Sequence, residues 1–541
     1  MSRLNAAEHR APALRAVNLS HMLTQTARRH PEAEAVIHGE TRWSWRELDA
    51  RASALARTLA EQGVSAGDCV MLDGPNSPEF VQAMYGAWRA GAAIAPVNSR
   101  LHAADIAQLA EVCRPVLMIA HSSAAAHVEA AAGVVPGLKT LWLDGAPESL
   151  RQDAGPALPQ LPRSAEHPAA EGARGCPDHP VRPGDHAWYF FTSGTSGRSK
   201  ASVLTHDQMG FVTTNHLSDL MPGTGPEDRS LVVAPLSHGA GIHLLTQVAR
   251  GAATVIPSSP SLDPGEVWAL TAEHRISNMF TVPTILKRLV EHPSVHAHDH
   301  SSLRWVIYAG APMPTPDIRL ARDTLGEVLV QYYGLGEVTG NITVLRPQDH
   351  DHPSPPDVPF ATCGFPRTGM QISIQDEQGR ELPALEAGEI CVAGPAVFAG
   401  YLNNVEANEE SFRDGWFRTG DVGLLDEQGF LFITGRVSDM YISGGSNIHP
   451  REIEEKVLGH PEVKEALVLG MPDPDWGEAG VAVCVRESGA QLGEEELREW
   501  LKERMARYKV PRRVVFWEEL PRSGYGKIVR RTVREMLQES R

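Results

Sequence analysis

Apolar and polar positions in the first quarter of the chain follow two periods. "RELDARASALARTLAEQGV", Arg46 to Val64, repeats its apolar residues at helical spacing and meets a stop at Gly63. "CVMLDGPNSPEFVQAMYGAWRAGAAIAPV", Cys69 to Val97, runs apolar, turn, amphipathic, apolar, which predicts strand, helix and strand in one βαβ unit. Residues 20–135 as a whole predict amphipathic helices between short strands. Residues 153–185, dense in Pro, Gly and Ala, predict an irregular connection between modules. Strands and helices alternate again from Ala187 to about Gln348, which predicts a second sheet with helices packed on it. From about Ala361 to Thr434, short runs such as "MQISIQDEQGRELP" and "GEICVAG" predict a small β-rich module. Beyond Arg436 comes an α+β tail of about 100 residues, the size of one mobile domain. No internal repeat interrupts this order.

Composition narrows the class. The chain has 541 residues, 42% hydrophobic and 22% charged, as in an ordinary globular enzyme. Its net charge of −17 argues against nucleic acid and anionic membranes as partners, so an anionic ligand must be drawn in by local cations and backbone amides. Cys69, Cys113, Cys176, Cys363, Cys391 and Cys484 are scattered without a C-x-x-C pair, which suits a reducing cytoplasm and implies neither zinc site nor disulfide framework. The start, "MSRLNAAEHRAPALRAV", lacks the apolar core of a signal peptide. The most apolar stretch, "AMYGAWRAGAAIAPV", is too short to span a bilayer and is broken by Arg89, so no transmembrane segment is expected.

The candidate chemistry begins at "WYFFTSGTSGRSK". An apolar strand, Trp188 to Phe191, precedes Gly194 and Gly197, which let the backbone turn its amides inward around an anion. Thr192, Ser193, Thr195 and Ser196 add hydroxyls, and Lys200 adds a charge. The Walker order of Gly-Lys-Ser/Thr is absent, because Arg198 and Ser199 follow Gly197. The same composition also describes a flexible Gly/Ser turn, so the choice rests on its company. "YAGAPM", Tyr308 to Met313, ends an apolar run in small residues against which a planar base fits. "VLVQYYGLGE" offers Tyr333 for stacking and Glu337 as an oxygen ligand for Mg²⁺. "DGWFRTGDVG" sets Asp421 in a tight turn, where a carboxylate accepts both hydroxyls of a ribose. "ITGRVSDMYISGGSNIHPREIEE" brings Arg436 and the Gly444–Gly445 pair, and "PRSGYGKIVRR" presents Lys527 on a Gly-flanked loop.

In this order and at these separations, the segments resemble the adenylate-forming superfamily of acyl-CoA synthetases, luciferases and peptide-synthetase adenylation domains, from about Asn18 to Arg531. The resemblance implies an α/β fold: a large N-terminal domain of two helix-flanked sheets plus a small β-rich module, residues 1–435, and a small mobile α+β C-terminal domain, residues 436–541, hinged near Arg436 to Asp439. It also implies a two-step reaction, in which a carboxylate attacks the α-phosphate of Mg·ATP and a thiol, most often that of coenzyme A, then displaces AMP. Thr192 to Lys200 would hold the β- and γ-phosphates; Tyr333 and Gly334, with Gly310, Ala311 and Pro312, adenine; Glu337 and Thr192 the metal; and Asp421 and Arg436 ribose. Lys527 would bridge the attacking carboxylate and the α-phosphate, with Glu337 and Thr192 completing the catalytic set. The tail would close for the first step and rotate for the second, bringing "SGGSNIHP" to a channel for the thiol. Arg100, Trp476 and Lys509 are candidate contacts for coenzyme A, beside Gly444 and Gly445.

The family usually carries Thr where this chain has Gly336, Asp or Lys where it has Ser438, and Pro and Gly where it has Ser199 and Ala201. Gly336 is expected to slow adenylation or to open space for a bulkier acid. The acyl pocket implied by the resemblance draws on His238, Gly239, Tyr308, Gly336, Thr339 and Gly340, a set without Arg or Lys. A second buried charge would go unmatched, so the expected substrate is an uncharged-tail monocarboxylic acid, fatty or aromatic, with room suggested by the glycines. The cluster His292, His296, His298 and His300 reads as exposed loop rather than as a metal site. Rival readings are an adenylating enzyme that loads a carrier-protein thiol and a silent nucleotide sensor. An oligomer is compatible with all three.

Overall fold

The computed structural model describes residues 14–144, 176–193, 199–356, 358, 360–443, 446–474, 476–522 and 528–539. Local signals set the first elements. Ser44 and Glu47 cap the helix Trp45–Glu61 reciprocally, hydroxyl to backbone N–H and carboxylate to backbone N–H, and its inner face buries Leu48, Leu55 and Leu59. Pro78 opens the helix Pro78–Arg89 under a Ser77 cap. This helix joins Cys69–Asp73 to Ala93–Val97, which pair in parallel with Val70 opposite Ile94, so the expected βαβ unit is present.

Two helix-flanked sheets follow. One has the order Lys139–Trp142, Leu117–Ala120, Cys69–Asp73, Ala93–Val97, His186–Ser193, Ser199–Thr205, parallel except for the closing hairpin. The other runs Leu329–Gln331, Trp305–Tyr308, Asn278–Thr281, Arg229–Val232, Ala253–Ile256, Glu34–His38, Thr41–Ser44, parallel except for its last pair. The division differs from the sequence expectation. The early hairpin from Glu34 to Ser44 belongs to the second sheet, and the hairpin after Asp185 completes the first. Strands buried on both faces are apolar throughout, so their sequence carries no address for one sheet over the other. The main core lies between the sheets, with Leu72 and Ile94 from one meeting Val36, Val232 and Ile307 from the other.

Gln371–Gln375, Gly388–Ala393, Phe412–Arg413, Trp416–Leu425 and Leu431–Arg436 form the small antiparallel sheet. The tail holds a last sheet of Tyr441–Ser443, Ser446–Ile448, Val463–Asp473, Gly477–Arg486 and Arg513–Trp517. Ile453, Val457, Leu497 and Leu501 cover one of its faces, and Val533 and Leu537 the other. Among the described residues no helix is long and apolar enough to cross a membrane, and no cluster of three His, Cys, Asp or Glu side chains is arranged to hold a metal ion.

Candidate active site

The hairpin that closes the first sheet sets Thr192 opposite Lys200, so it brings together the two ends of the glycine-rich loop. Glu337 sits in a short 3-10 turn, Gly336–Val338, just beyond the strand Leu329–Gln331, and is 7% exposed. Its Oε1 accepts two hydroxyls, from Thr192 at 3.0 Å and from Tyr401 at 2.9 Å. The Lys200 ammonium lies over the Tyr401 ring, 4.8 Å from its centroid. Burial, and then the Glu337 charge, push the Tyr401 phenol well above its ordinary value, so it stays a donor. A buried carboxylate flanked by hydroxyl oxygens is a hard-oxygen donor set, and it fits Mg²⁺.

The second cluster gathers around Tyr333, which lies between the strand Leu329–Gln331 and the turn that carries Glu337. The antiparallel strands Trp416–Leu425 and Leu431–Arg436 register Asp421 against Arg436, whose Nε is 2.8 Å from Oδ1. Tyr333 donates its hydroxyl to Oδ2 at 2.6 Å. Asp421 is 4% exposed, and its charge is the first cause that raises the Arg436 guanidinium above its usual range. The strands Trp305–Tyr308 and Leu329–Gln331 run parallel, so Gly310, Ala311 and Pro312 emerge beside the segment carrying Tyr333, and all three are exposed. Gly310 takes φ +85°, which suits glycine. Both clusters thus stand at the carboxyl ends of parallel strands, where open α/β sheets bind ligands.

The acyl-pocket positions require corrections. His238 precedes the helix Gly239–Arg250 without a side-chain capping hydrogen bond and meets the Phe190 ring edge-on at 5.2 Å. A methyl group added at Gly239 would fall 2.5 Å from Phe280, one at Gly336 2.5 Å from Phe190, and one at Gly340 2.6 Å from Tyr332. The glycines therefore accommodate aromatic rings already in place, and the expected spare room is filled by protein. Gly334 packs as tightly on the Gly340 backbone. The side chain of Tyr308 is fully buried in the core on the far side of its strand, hydrogen-bonded to His350 Nε2 at 3.2 Å, and has only its backbone to offer a ligand. Thr339 is 1% exposed, its hydroxyl already engaged by Gln208 at 3.1 Å.

The model for the AMP-binding enzyme family matches residues 23–402, and that for the AMP-binding enzyme C-terminal domain matches residues 452–527. The chain belongs to the AMP-binding enzyme family. Within it, the chain is 35% identical over 511 residues to a feruloyl-CoA synthase from Amycolatopsis sp., covering 94% of this chain and 96% of that one. It is 32% identical over 524 residues to the long-chain-fatty-acid–CoA ligase FadD13 of Mycobacterium tuberculosis, covering 96% and 98%. Its fold matches that of the amide bond synthetase McbA from Marinactinospora thermotolerans with a TM-score of 0.84 at 28% identity, over 96% of this chain and 99% of that one. Acyl-CoA ligases of this family use ATP, Mg²⁺ and coenzyme A.

Other residues that the family resemblance singled out are dispersed. Arg100 is exposed and donates its backbone N–H to Asn98 Oδ1. Trp476 is 41% exposed beneath the Arg512 guanidinium, 5.2 Å away. Lys509 is committed to Glu452 at 2.7 Å and would have to leave it to meet a phosphate. Ser193 ends its strand, while Gly194, Thr195, Ser196, Gly197, Gly444, Gly445 and Lys527 lie outside the described residues. Sequence reasoning missed Tyr401, which no motif marks, and the rings of Phe190, Phe280 and Tyr332.

Proposed function

We propose that this protein activates an uncharged-tail monocarboxylic acid, fatty or aromatic, as its acyl-adenylate and passes the acyl group to coenzyme A. One observation carries the reading: the segment after the strand Leu329–Gln331 links two clusters, Glu337 with the hydroxyls of Thr192 and Tyr401, and Tyr333 with Asp421 and its partner Arg436. The near full-length similarity to a feruloyl-CoA synthase and a long-chain-fatty-acid–CoA ligase supports it. A substrate carboxylate oxygen attacks the α-phosphorus of ATP, the bond to pyrophosphate breaks, and the acyl carbon is left joined to AMP. The thiolate of coenzyme A then attacks that carbon, and AMP leaves. Asp421 and Arg436 orient the nucleotide, and Lys527 neutralises charge developing at the α-phosphate. Glu337 and Thr192 would hold Mg²⁺, whose charge would offset that of the phosphate oxygens when bound. In this reading residues 436–541 are the closing lid, hinged near Arg436 to Asp439, and the scattered free cysteines support a cytoplasmic setting.

The test is a panel of carboxylic acids with ATP and Mg²⁺, reading pyrophosphate with and without coenzyme A. Pyrophosphate and a coenzyme A thioester are expected. Similarity to an amide bond synthetase makes an amine the alternative acceptor. Amide but no thioester when both acceptors are offered would overturn the assignment of coenzyme A, and no pyrophosphate with any acid would overturn the whole reading.

A further inference from the structure

Behind the glycine-lined positions lies a nest of polar side chains that neither half-reaction uses. His216, on the helix His206–Asp219, and His243, on the helix Gly239–Arg250, face each other with ring centroids 4.7 Å apart. They are 0% and 4% exposed. Arg367, also fully buried, donates Nη2–H to His216 Nδ1 at 3.1 Å, while its Nε stands 3.8 Å from the Asp219 carboxylate. His243 stacks on Phe280 at 4.7 Å and on Tyr332 at 6.0 Å. These are the two rings pressed against Gly239 and Gly340, so the nest shares its wall with the acyl-pocket positions. A crevice lined by Val232, Ala240, His243, Leu244, Gln247 and Phe280 runs alongside.

The nest is short of partners. Arg367 Nε and Nη1, both His243 ring nitrogens and Gln247 Oε1 are buried and make no hydrogen bond, and the Asn341 amide, which interacts with His216, has no other partner. A buried polar group without a partner loses its hydration and gains nothing in return, and native interiors rarely gather so many in one place. Since His216 Nδ1 accepts from Arg367, its Nε2 carries the proton and donates. N–H groups of Arg367, His216 and Asn341 then outnumber the free acceptors, and an oxygen atom is the missing partner. Charge sets a further limit. Asp219 offsets Arg367, and burial holds His216 well below its ordinary value and His243 at about 3, so both imidazoles are neutral near pH 7. A second carboxylate would enter this site unmatched.

We propose that the nest is the specificity site for the far end of the acid, and that it takes an uncharged oxygen acceptor, such as a ketone, on the acyl tail. The inference rests on the acid-activating reading above. It is tested by kcat/KM for acids of matched length ending in hydrocarbon, ketone or carboxylate: octanoate, 7-oxooctanoate and octanedioate, and 4-ethyl-, 4-acetyl- and 4-carboxycinnamate. In at least one series the ketone is expected to exceed the hydrocarbon by about 10- to 100-fold. That ratio is expected to fall to about one in His243→Leu and in Arg367→Met, and to survive in part in His243→Gln, which keeps a donor. Should Arg367→Met fail to fold, His243→Leu decides. A hydrocarbon acid used as well as the ketone in both series, a dicarboxylate used best, or a ratio that persists in His243→Leu would overturn the inference while thioester formation left the proposed function standing. No pyrophosphate from any acid would overturn both.

Discussion

Gly336 shows how one residue and its neighbour have changed places. Where the resemblance leads one to expect Thr, the Phe190 ring occupies the space a side chain would need. Gly336→Thr is therefore expected to destabilise the fold by about 1–3 kcal/mol through overpacking, and Phe190→Ala in the same chain to recover part of it. Thermal unfolding of the two single variants and the double variant checks this; equal melting points for wild type and Gly336→Thr would contradict it. Tyr401 acts at the same scale. Its hydroxyl shares Glu337 Oε1 with that of Thr192, so Tyr401→Phe leaves the carboxylate one donor short. Pyrophosphate release is expected to drop about tenfold with the melting temperature little changed. Adding Thr192→Val should cost less than its effect alone predicts, because both hydroxyls serve one oxygen.

Elements, rather than single contacts, align the nucleotide cluster. Asp421 and Arg436 meet because two antiparallel strands are in register, and register shifts between Val422 and Gly423 put an irregularity beside the pair. Asp421→Asn keeps the shape and removes the charge facing Arg436. It is expected to raise the KM for ATP more than it lowers kcat, as measured by initial rates at saturating acid. Local chemistry accounts for several element boundaries in the structure, including the Ser44 and Glu47 capping box, Pro78 at a helix start and Asp263 capping the helix Pro264–His274. The general expectation of short strands over residues 20–135 covers Glu34 to Ser44, but their membership of the second sheet was illegible, because pairing with Ala253–Ile256 spans more than two hundred residues.

Across the whole molecule, buried neutral histidines couple stability to pH. Burial pushes His206 down to about 4 and His243 to about 3, and lowers His216 as well, from an ordinary value of 6.5. Their folded values are depressed, so below pH 6.5 the unfolded chain binds protons that the folded one refuses. Stability is therefore full above about pH 6.5 and falls as pH drops, by about 1.4 kcal/mol per unit for each such histidine until its folded value is reached. Urea unfolding from pH 7.5 to 5 should show this slope, and His243→Leu should flatten it; a pH-independent midpoint would contradict the assignment. The tail gives a second whole-molecule test. Lys527→Ala is expected to lose adenylation while still converting supplied acyl-adenylate to thioester, and equal loss of both half-reactions would contradict a closing lid.

The linear chain by itself determined the α/β class, the order of its modules and the family, because short motifs and hydrophobic periods are properties of neighbouring residues. Glu337, Asp421, Tyr333 and Arg436 were singled out for that reason, and the structure brings Asp421 together with Tyr333 and Arg436. Only the tertiary structure decided that Tyr401 joins Glu337, that aromatic rings fill the space above the glycines, and that Arg367, His216 and His243 converge behind them. Those partners lie from 8 positions apart, for Tyr332 and Gly340, to 151, for His216 and Arg367. Each reads locally as an ordinary strand, helix or turn residue, and its partner is chosen by packing between elements whose order in space the chain does not spell out.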